Sequence, residues 1–361
     1  MRTVQLVTPK TDEAIGRSGC STCGGYHSQS DSLAFHGAIG GCSDGQCIPG
    51  RDKCDALVPA CDNFISAFAS NLYQSLCCPD PCYQPRWEPV ANASLFADFA
   101  KPRTVTRIRY DLLQNMTFPD RNQYFMQQTP KLYKSESKKL RSAPSTRMQV
   151  LYLYQEAATA AGSFFVEYPY LQLNPRVSPT TAGFGDVRLG TKSVLYDVEM
   201  LRVTFQFKTY LPSGNGSKGL GTGHTSLEPS ILTSLKLGPE TYFQGQFGQW
   251  IPLGGDQHLT GGIFFSYMSL NQVLMYVTPS SPLIAMLEMD GWAFESGGYT
   301  NPLKSGKSPI HSGGGVPYFN IGPGLRLSIC DKIDVGGTIT WATTKNHWAD
   351  PWFRFEVRFL F

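Results

Sequence analysis

Hydrophobic and polar residues alternate along most of the chain after residue 103. In the run 201–208 the odd positions are Leu, Val, Phe and Phe, and the even positions are Arg, Thr, Gln and Lys. The run 353–361 repeats the pattern, with aromatic or aliphatic residues at every odd position. A period of two places alternate side chains on opposite faces of a β-strand, whereas a helix needs a period near 3.6. The pattern therefore predicts strands.

Twelve runs of this kind can be recognised between residues 103 and 361. They predict an all-β fold with strands at about 103–113, 147–157, 162–171, 184–196, 198–210, 223–237, 239–252, 259–274, 283–295, 316–329, 332–343 and 351–361. The uncharged stretch 259–287 is long enough for a membrane helix. Its serine, asparagine, glutamine and proline residues favour a strand, a turn and a second strand instead.

The connections between the predicted strands alternate in length. Those near 197, 238–240 and 331–332 are short, whereas those at 114–146, 172–183, 211–222, 296–315 and 344–350 are long. An even number of strands with short turns on one rim and long loops on the other is typical of an antiparallel transmembrane β-barrel of the outer membrane. Because no amphipathic helices follow residue 103 to cover a soluble sheet, we expect the apolar faces to meet lipid.

The polar faces would then line the lumen. Strand parity predicts seventeen charged lumen residues: Arg107, Arg109, Asp111, Glu167, Asp186, Arg188, Lys192, Arg202, Lys208, Glu228, Glu288, Asp290, Arg326, Asp334, Arg354, Glu356 and Arg358. So many charges in a narrow barrel must pair or stay hydrated. They are compatible with a salt-bridged interior that mostly closes the pore and with a narrow selective channel.

The N-terminal part of the chain has a different character. Nine of the ten cysteines lie between Cys20 and Cys82, and the segment 1–83 has a net charge of −3 against +6 for the remainder. We therefore predict a cysteine-rich segment at 1–83 that is periplasmic or acts as a plug, a connector at 84–102 and the barrel at 103–361. The net charge of the whole chain is only +3, which gives no reason to expect a nucleic-acid partner.

Disulfides are the favoured interpretation of the cysteines, because the single C-x-x-C at 20–23 lacks a second pair with zinc-finger spacing. The candidates are Cys20, Cys23, Cys42, Cys47, Cys54, Cys61, Cys77, Cys78, Cys82 and Cys330. Since nine cysteines leave one over, we expect Cys330 to pair with one of them and to clamp the N-terminal segment beneath or inside the barrel. No metal site is predicted.

Candidate enzyme chemistry is confined to His224 and Ser226. Their spacing puts both on one strand face about 7 Å apart, which is too far for a hydrogen-bonded pair. The chain has no G-x-S-x-G elbow, and its glycine-rich stretches lack the phosphate-loop order. We expect neither an enzyme nor a cofactor.

Several segments resemble a known family. These are AGFGDVRLGTKSVLYD at 182–197, the run 201–237 with its Pro212-Ser213-Gly214 turn, and the terminal FRFEVRFLF. They are similar to the outer-membrane transporter family associated with phenol-degradation pathways, over about 182–361. The resemblance implies an outer-membrane barrel exported through the periplasm, with Phe361 as the signal for the barrel-insertion machinery. The cysteine-rich segment departs from the commoner family pattern.

The expected function is a channel for uptake of a small hydrophobic or amphipathic solute across the outer membrane. The alternative is a scaffolding barrel with a closed lumen, whose cysteine-rich segment binds another envelope protein. Expected partners are outer-membrane lipid and lipopolysaccharide, whose phosphates the basic loop 131–147 could meet. A signal peptide is not visible at the start of the chain.

Overall fold

The computed structural model describes residues 41–43, 46–48, 64–77, 89–116, 146–175, 180–253, 262–295, 298–300, 310–312, 315, 317–329, 332–345 and 347–361. The chain divides into two compact units. One comprises Met1–Pro85 with Val198–Met200, and the other comprises Arg86–Asp197 with Leu201–Phe361.

In the first unit the structure describes two short strands and one helix. The strands β1 (Gly41–Ser43) and β2 (Gln46–Ile48) form a hairpin in which Cys42 and Cys47 are opposite each other in the register. Helix α1 spans Phe64–Cys77. None of the helices in the described ranges is both long and apolar enough to cross a membrane.

The second unit is a closed antiparallel barrel of twelve wall strands. They are β3 (Val105–Met116), β4 (Thr146–Ala158), β5 (Gly162–Pro175), β7 (Arg188–Asp197), β8 (Leu201–Tyr210), β9 (Thr225–Gly238), β10 (Thr241–Leu253), β11 (Ile263–Thr278), β12 (Ser281–Phe294), β15 (Pro317–Ile329), β16 (Ile333–Ala342) and β17 (Trp352–Leu360). Each pairs with the next, and β17 pairs with β3 to close the ring. Pairing of every strand on both sides leaves the wall without an open edge.

The predicted twelve-strand barrel is confirmed, and its strand ends differ by a few residues. The predicted strand 184–196 starts only at Arg188, as β7, and the residues before it form a separate strand, β6 (Thr181–Phe184). The two strands pair with different parts of β5. The division falls at 185–187, where Asp186 takes part in loop contacts instead of strand pairing. A separate short hairpin is formed by β13 (Gly298–Thr300) and β14 (Ile310–Ser312) between β12 and β15.

Short and long connections separate the two rims of the barrel. On one rim, which we name the turn rim, only a few residues join β4 to β5, β9 to β10, β11 to β12 and β15 to β16. The opposite rim, the loop rim, carries the long connections, including 211–224 and 343–351. Within the uncharged stretch 259–287, the described residues from 262 onward form two strands joined by a turn after Thr278, as predicted.

The wall is apolar outside and polar inside. Phe164, Leu325 and Phe355 are 50–53% exposed on the outer face, whereas Arg326 and Glu356 on the inner face are at most 1% exposed. Water-soluble proteins bury the apolar face instead, so this distribution fits a wall that is surrounded by lipid. The barrel therefore spans the outer membrane.

Strand register explains several ion pairs in the lumen. Arg354 is opposite Asp111 in the β17–β3 pairing, and Lys208 is opposite Glu228 in the β8–β9 pairing. Directly opposed side chains on one face lie about 4.5–5.5 Å apart at Cβ, so opposite charges meet there. The guanidinium of Arg354 binds both carboxylate oxygens of Asp111, at 2.7 and 2.6 Å.

Candidate functional site

Residues 89–101, which we name the plug, lie inside the barrel. The plug begins with a 3-10 helix, Pro89–Asn92, which packs against Tyr242 near the turn rim. It extends to Phe96, whose ring meets that of Trp352 edge to face at a centroid distance of 4.9 Å, toward the loop rim. The backbone then returns to the start of β3. The plug is thus a loop inserted into the lumen from the turn rim.

Three buried arginines hold the backbone carbonyl groups of the first half of the plug. Each comes from a different position on the inner wall, and each also contacts an acidic residue of the wall. The contacts are Arg358 Nη1 to Asn92 O at 2.6 Å, Arg358 Nη2 to Ser94 O at 3.1 Å, Arg326 Nε to Ala93 O at 2.7 Å and Arg354 Nη1 to Leu95 O at 2.9 Å. These charge-assisted hydrogen bonds satisfy carbonyls that would otherwise be buried without partners.

Glu288 and Gln244 accept hydrogen bonds from backbone N–H groups of the same segment. The Leu95 N–H donates to Glu288 Oε1 at 2.9 Å, and the Ser94 N–H donates to Gln244 Oε1 at 3.2 Å. Wall side chains therefore take over the hydrogen bonds that a strand or helix would supply, and this irregular segment can remain inside the barrel.

Asp98 is the ionic contact of the returning half of the plug. Its carboxylate accepts hydrogen bonds from Arg107 at 3.3 Å, from Lys208 at 3.3 Å and from Gln206 at 3.1 Å. Burial alone would raise the pKa of Asp98, but the positive charges of Lys208, Arg107 and Lys192 outweigh it and hold the pKa well below its ordinary value. Asp98 is therefore charged at neutral pH and ties the plug to the wall.

A cavity of about 150 Å³ lies beside the plug, toward the loop rim. Phe96 and Asp98 of the plug form part of its lining. Most of the remaining lining residues are aromatic or charged: Tyr152, Tyr154, Phe165, Tyr210, Trp250, Phe265, Tyr267, Trp292, Trp348, Trp352, Arg107, Arg109, Arg188, Lys208, Arg354, Glu167, Asp186 and Glu228. Stacked rings of Trp292 and Trp352, 5.8 Å apart, stiffen one side of the cavity.

Glu167 lies among three arginines on the opposite side of this cavity. Its carboxylate oxygens are 2.6 Å from Arg188 Nη1, 3.4 Å from Arg109 Nη2 and 3.6 Å from Arg107 Nη2. The ring of Tyr152 lies 4.0 Å from the guanidinium carbon of Arg109 and 5.1 Å from that of Arg188. The cavity thus combines flat apolar surfaces with fixed positive charges.

Sixteen of the seventeen predicted lumen residues lie on wall strands, Asp186 lies between β6 and β7, and fifteen of the seventeen are at most 7% exposed. Arg188 and Lys208, the two exceptions, have side chains that are 19% and 11% exposed and line the cavity. Within the described ranges, fourteen of the seventeen take part in ion pairs of 4 Å or less, and Asp186, Glu288 and Asp290 do not. Lys192, for example, lies 2.9 Å from Glu156, which the sequence analysis did not single out.

Asp186 has a role that parity did not indicate. One carboxylate oxygen accepts from the Gly214 N–H at 2.9 Å, and the other accepts from both the N–H and the hydroxyl of Thr222, each at 2.7 Å. A Cβ added at Gly221 would lie 2.4 Å from the Asp186 carboxylate, so the close approach requires glycine there. Asp186 therefore fastens the loop between β8 and β9 at the loop rim.

Sequence reasoning missed the plug as a functional element. It lies within the segment 84–102 that we interpreted as a connector, and it contributes Phe96, Asp98 and Phe99 to the lumen. The sequence signal for a buried segment was the pair Phe96 and Phe99, which flanks Asp98 in an otherwise alanine-rich stretch. A solvent-exposed connector has no need for them.

Two further groups of predicted residues remain predictions. The side chains of the cysteines, including Cys330 and its expected pairing, lie outside the described residues. Phe361 is 84% exposed, and its N–H donates to Thr104 O at 3.1 Å, which joins the chain end to the start of β3. Its expected role as an insertion signal is untested.

The predicted separation of His224 and Ser226 is wrong. Ser226 Oγ lies 3.3 Å from His224 Nδ1, within hydrogen-bond distance. The estimate of about 7 Å assumed that both residues lie in one extended strand, whereas His224 lies just before β9, which begins at Thr225. Ser226 is nevertheless fully buried, and His224 Nδ1 also lies 3.2 Å from the carbonyl oxygen of Thr225. A buried hydroxyl is poorly placed to meet a substrate.

Among the described residues, no group of three or more His, Cys, Asp and Glu side chains could hold a metal ion. The closed wall, apolar outside and charged inside, defines the chain as an outer-membrane β-barrel protein.

No family model matches the sequence, and no curated protein matches it significantly. Among solved structures, the COG4313 outer membrane channel from Pseudomonas putida F1 has a TM-score of 0.49 and 11% identity, over 74% of this chain and 97% of that chain. The NanC porin has a TM-score of 0.42 and 8% identity, over 71% of this chain and 100% of that chain. The KdgM porin, solved in complex with disordered oligogalacturonate, has a TM-score of 0.37 and 7% identity, over 71% and 99%. These likenesses concern the barrel fold, and the link with phenol degradation is not confirmed by them.

Proposed function

We propose that the protein is a gated channel for uptake of a small amphipathic solute across the outer membrane. The observation that carries the proposal is the cavity of about 150 Å³ inside the barrel, bounded by the plug on one side. A barrel that served only as a scaffold would have no need of a cavity lined by both aromatic rings and charges. Cavities of this composition are typical of sites for small ligands.

The size of the cavity supports a solute with a single ring. An engineered apolar cavity of about 150 Å³ in another protein binds benzene, which sets the scale. The rings of Tyr152 and Tyr210 offer flat contact surfaces, and their hydroxyl groups and the neighbouring arginines offer polar contacts. An amphipathic molecule can use both kinds of contact at once.

The plug supports gating, because the solute must pass it. The plug contacts inner-face residues of strands on several sides of the ring, including β3, β8, β10, β12, β15 and β17. Passage therefore needs the plug to move or its tip to swing aside. The short turns, the start of β3 and the end of β17 share one rim, which we assign to the periplasm.

Recordings from the purified full chain in planar bilayers test this proposal. We expect infrequent openings of small conductance. 4-Hydroxybenzyl alcohol, a neutral single-ring amphipath, should lower the current through an open channel without changing how often the channel opens, and glucose should leave both unchanged. A barrel that shows the heat-modifiable migration of a folded protein but passes no current, even when the plug is loosened by Phe96→Ala, would favour the scaffold function.

A further inference from the structure

Glu167 shows how the cavity binds a carboxylate. One carboxylate group is shared by Arg107, Arg109 and Arg188, with distances from 2.6 to 3.6 Å. The Nε–H groups of Arg109 and Arg188 are buried and have no hydrogen-bond partner in the described part of the chain. A buried donor without a partner is costly, so these groups favour an additional acceptor at this place.

The charge balance of the cavity favours a single negative charge. Its lining contains five cationic side chains, those of Arg107, Arg109, Arg188, Lys208 and Arg354, and four carboxylates, those of Asp98, Glu167, Asp186 and Glu228. Three of the five cations have carboxylate partners of their own: Arg354 pairs with Asp111 outside the lining, Arg107 with Asp98 and Glu356, and Lys208 with Asp98 and Glu228. Arg109 and Arg188 share the single carboxylate of Glu167, at 3.4 and 2.6 Å, and Arg109 Nε lies 3.9 Å from Asp111. One added negative charge beside these two arginines would be balanced, whereas a dianion or a cation would leave an unpaired charge in a site of low polarity.

The same cations hold the plug. Arg107 lies 3.6 Å from Glu167 and 3.3 Å from Asp98 of the plug. Lys208 lies 3.1 Å from Glu228 and 3.3 Å from the other carboxylate oxygen of Asp98. A carboxylate entering the cavity therefore competes directly with Asp98 for both partners. Binding in the cavity and docking of the plug are linked through these two side chains.

We propose that the cavity is a binding site for a single-ring carboxylate, and that the bound carboxylate loosens the plug by drawing Arg107 and Lys208 away from Asp98. The ring lies against Tyr152 and Tyr210, and the carboxylate lies beside Arg109 and Arg188, within reach of Arg107 and Lys208, which line the same cavity. The solute thereby promotes its own passage. This inference rests on the proposed channel function and adds to it the chemical class of the solute and the means of opening.

Single-channel recordings with benzoate test the inference. We expect benzoate to raise the open probability of the full chain about tenfold, the shift expected when one charge-assisted hydrogen bond to the plug is lost. Benzyl alcohol has the ring without the charge, and acetate has the charge without the ring. Both should change the open probability by less than about twofold at the same concentration.

Variants assign the effect to residues. Asp98→Asn removes the charge that competes with benzoate, so it should open the channel without benzoate and abolish the further rise. Arg109→Gln should abolish the response to benzoate, and Arg109→Lys, which keeps the charge, should restore part of it. Arg147→Gln is the matched control, because Arg147 lies at an exposed position of β4, outside the cavity lining. Heat-modifiable migration shows that each variant is folded.

The outcomes separate the inference from the proposed function. Equal effects of benzoate and benzyl alcohol would overturn the carboxylate site. If the native chain and the Asp98→Asn variant both conduct and respond equally to benzoate, benzoate does not compete with Asp98 of the plug. Absence of current from the native chain and from both the Asp98→Asn and Phe96→Ala variants would contradict the channel function itself.

Discussion

The tip of the plug allows the gating proposal to be tested with one substitution, Phe96→Ala. The Phe96 ring is 5% exposed and contacts Trp352 edge to face and Tyr267 at a centroid distance of 6.3 Å. The guanidinium carbon of Arg354 lies 4.1 Å from the ring centroid. These contacts exist only while the plug is docked, so their loss acts on the docking equilibrium.

The expected effect of Phe96→Ala is large. Truncation of a buried phenylalanine destabilises a core by about 3–5 kcal/mol. Because Phe96 borders a cavity, we take the lower value of about 3 kcal/mol, which corresponds to a change of about a hundredfold in the docking equilibrium. A channel that is mostly closed in the native chain should then be open for much of the recording.

Open probability in planar bilayers is the measurement, and Phe353→Ala is the matched control. Phe353 lies on the outer face of the wall, where it is 36% exposed, so its truncation should leave the open probability unchanged. If Phe96→Ala folds normally and its open probability equals that of the native chain, the plug does not gate the pore and the reasoning from docking contacts fails.

Three further predictions follow from single contacts. Asp186→Ala removes three hydrogen bonds to the loop between β8 and β9 and should lower the free energy of unfolding by about 3 kcal/mol. The measurement is the temperature at which the folded band disappears on a gel, which should fall, and Asp186→Asn should lower it less. Gly190→Ala puts a Cβ 2.2 Å from the Phe165 ring and should destabilise by about 1–3 kcal/mol, and a second change, Phe165→Leu, should relieve part of this if the clash is the cause. The pKa of Asp98 is lowered, so its contribution to docking is complete above about pH 4 and is lost only below that value. The open probability should therefore stay constant from about pH 8 to about pH 5. A rise of the open probability within this range would contradict the role of Asp98 in docking.

The wall of the barrel could be predicted from the sequence because one physical rule governs it throughout. Each wall strand meets lipid on one side and the lumen on the other, so successive residues alternate in polarity, as Phe355 and Glu356 do. The same alternation determines which charges share the inner face. The ion pair of Arg354 with Asp111, however, needs the pairing of the last strand with the first, which parity alone does not give.

The plug could not be predicted, because no repeating environment governs it. Its backbone groups find partners one at a time, in side chains from distant parts of the chain: Arg358 is 266 residues from Asn92, and Glu288 is 193 residues from Leu95. A segment of this kind has neither strand nor helix period. From the sequence alone the segment cannot be distinguished from a linker, because the wall side chains that satisfy its carbonyl and N–H groups are identified only by the structure.

The chemistry of the plug contacts differs along its length, and the difference indicates which part moves. Near the turn rim, Val90 and Leu95 pack with Ile284 in an apolar cluster that water cannot replace. Around Asp98 the contacts are ionic and line the cavity, so water or a solute can replace them. Displacement of Asp98 therefore exposes charges that can be hydrated, whereas displacement of the first half would expose apolar surface. The contacts of Asp98 are accordingly the ones that a solute can replace, and the apolar contacts of Phe96 and Phe99 oppose opening and keep it infrequent.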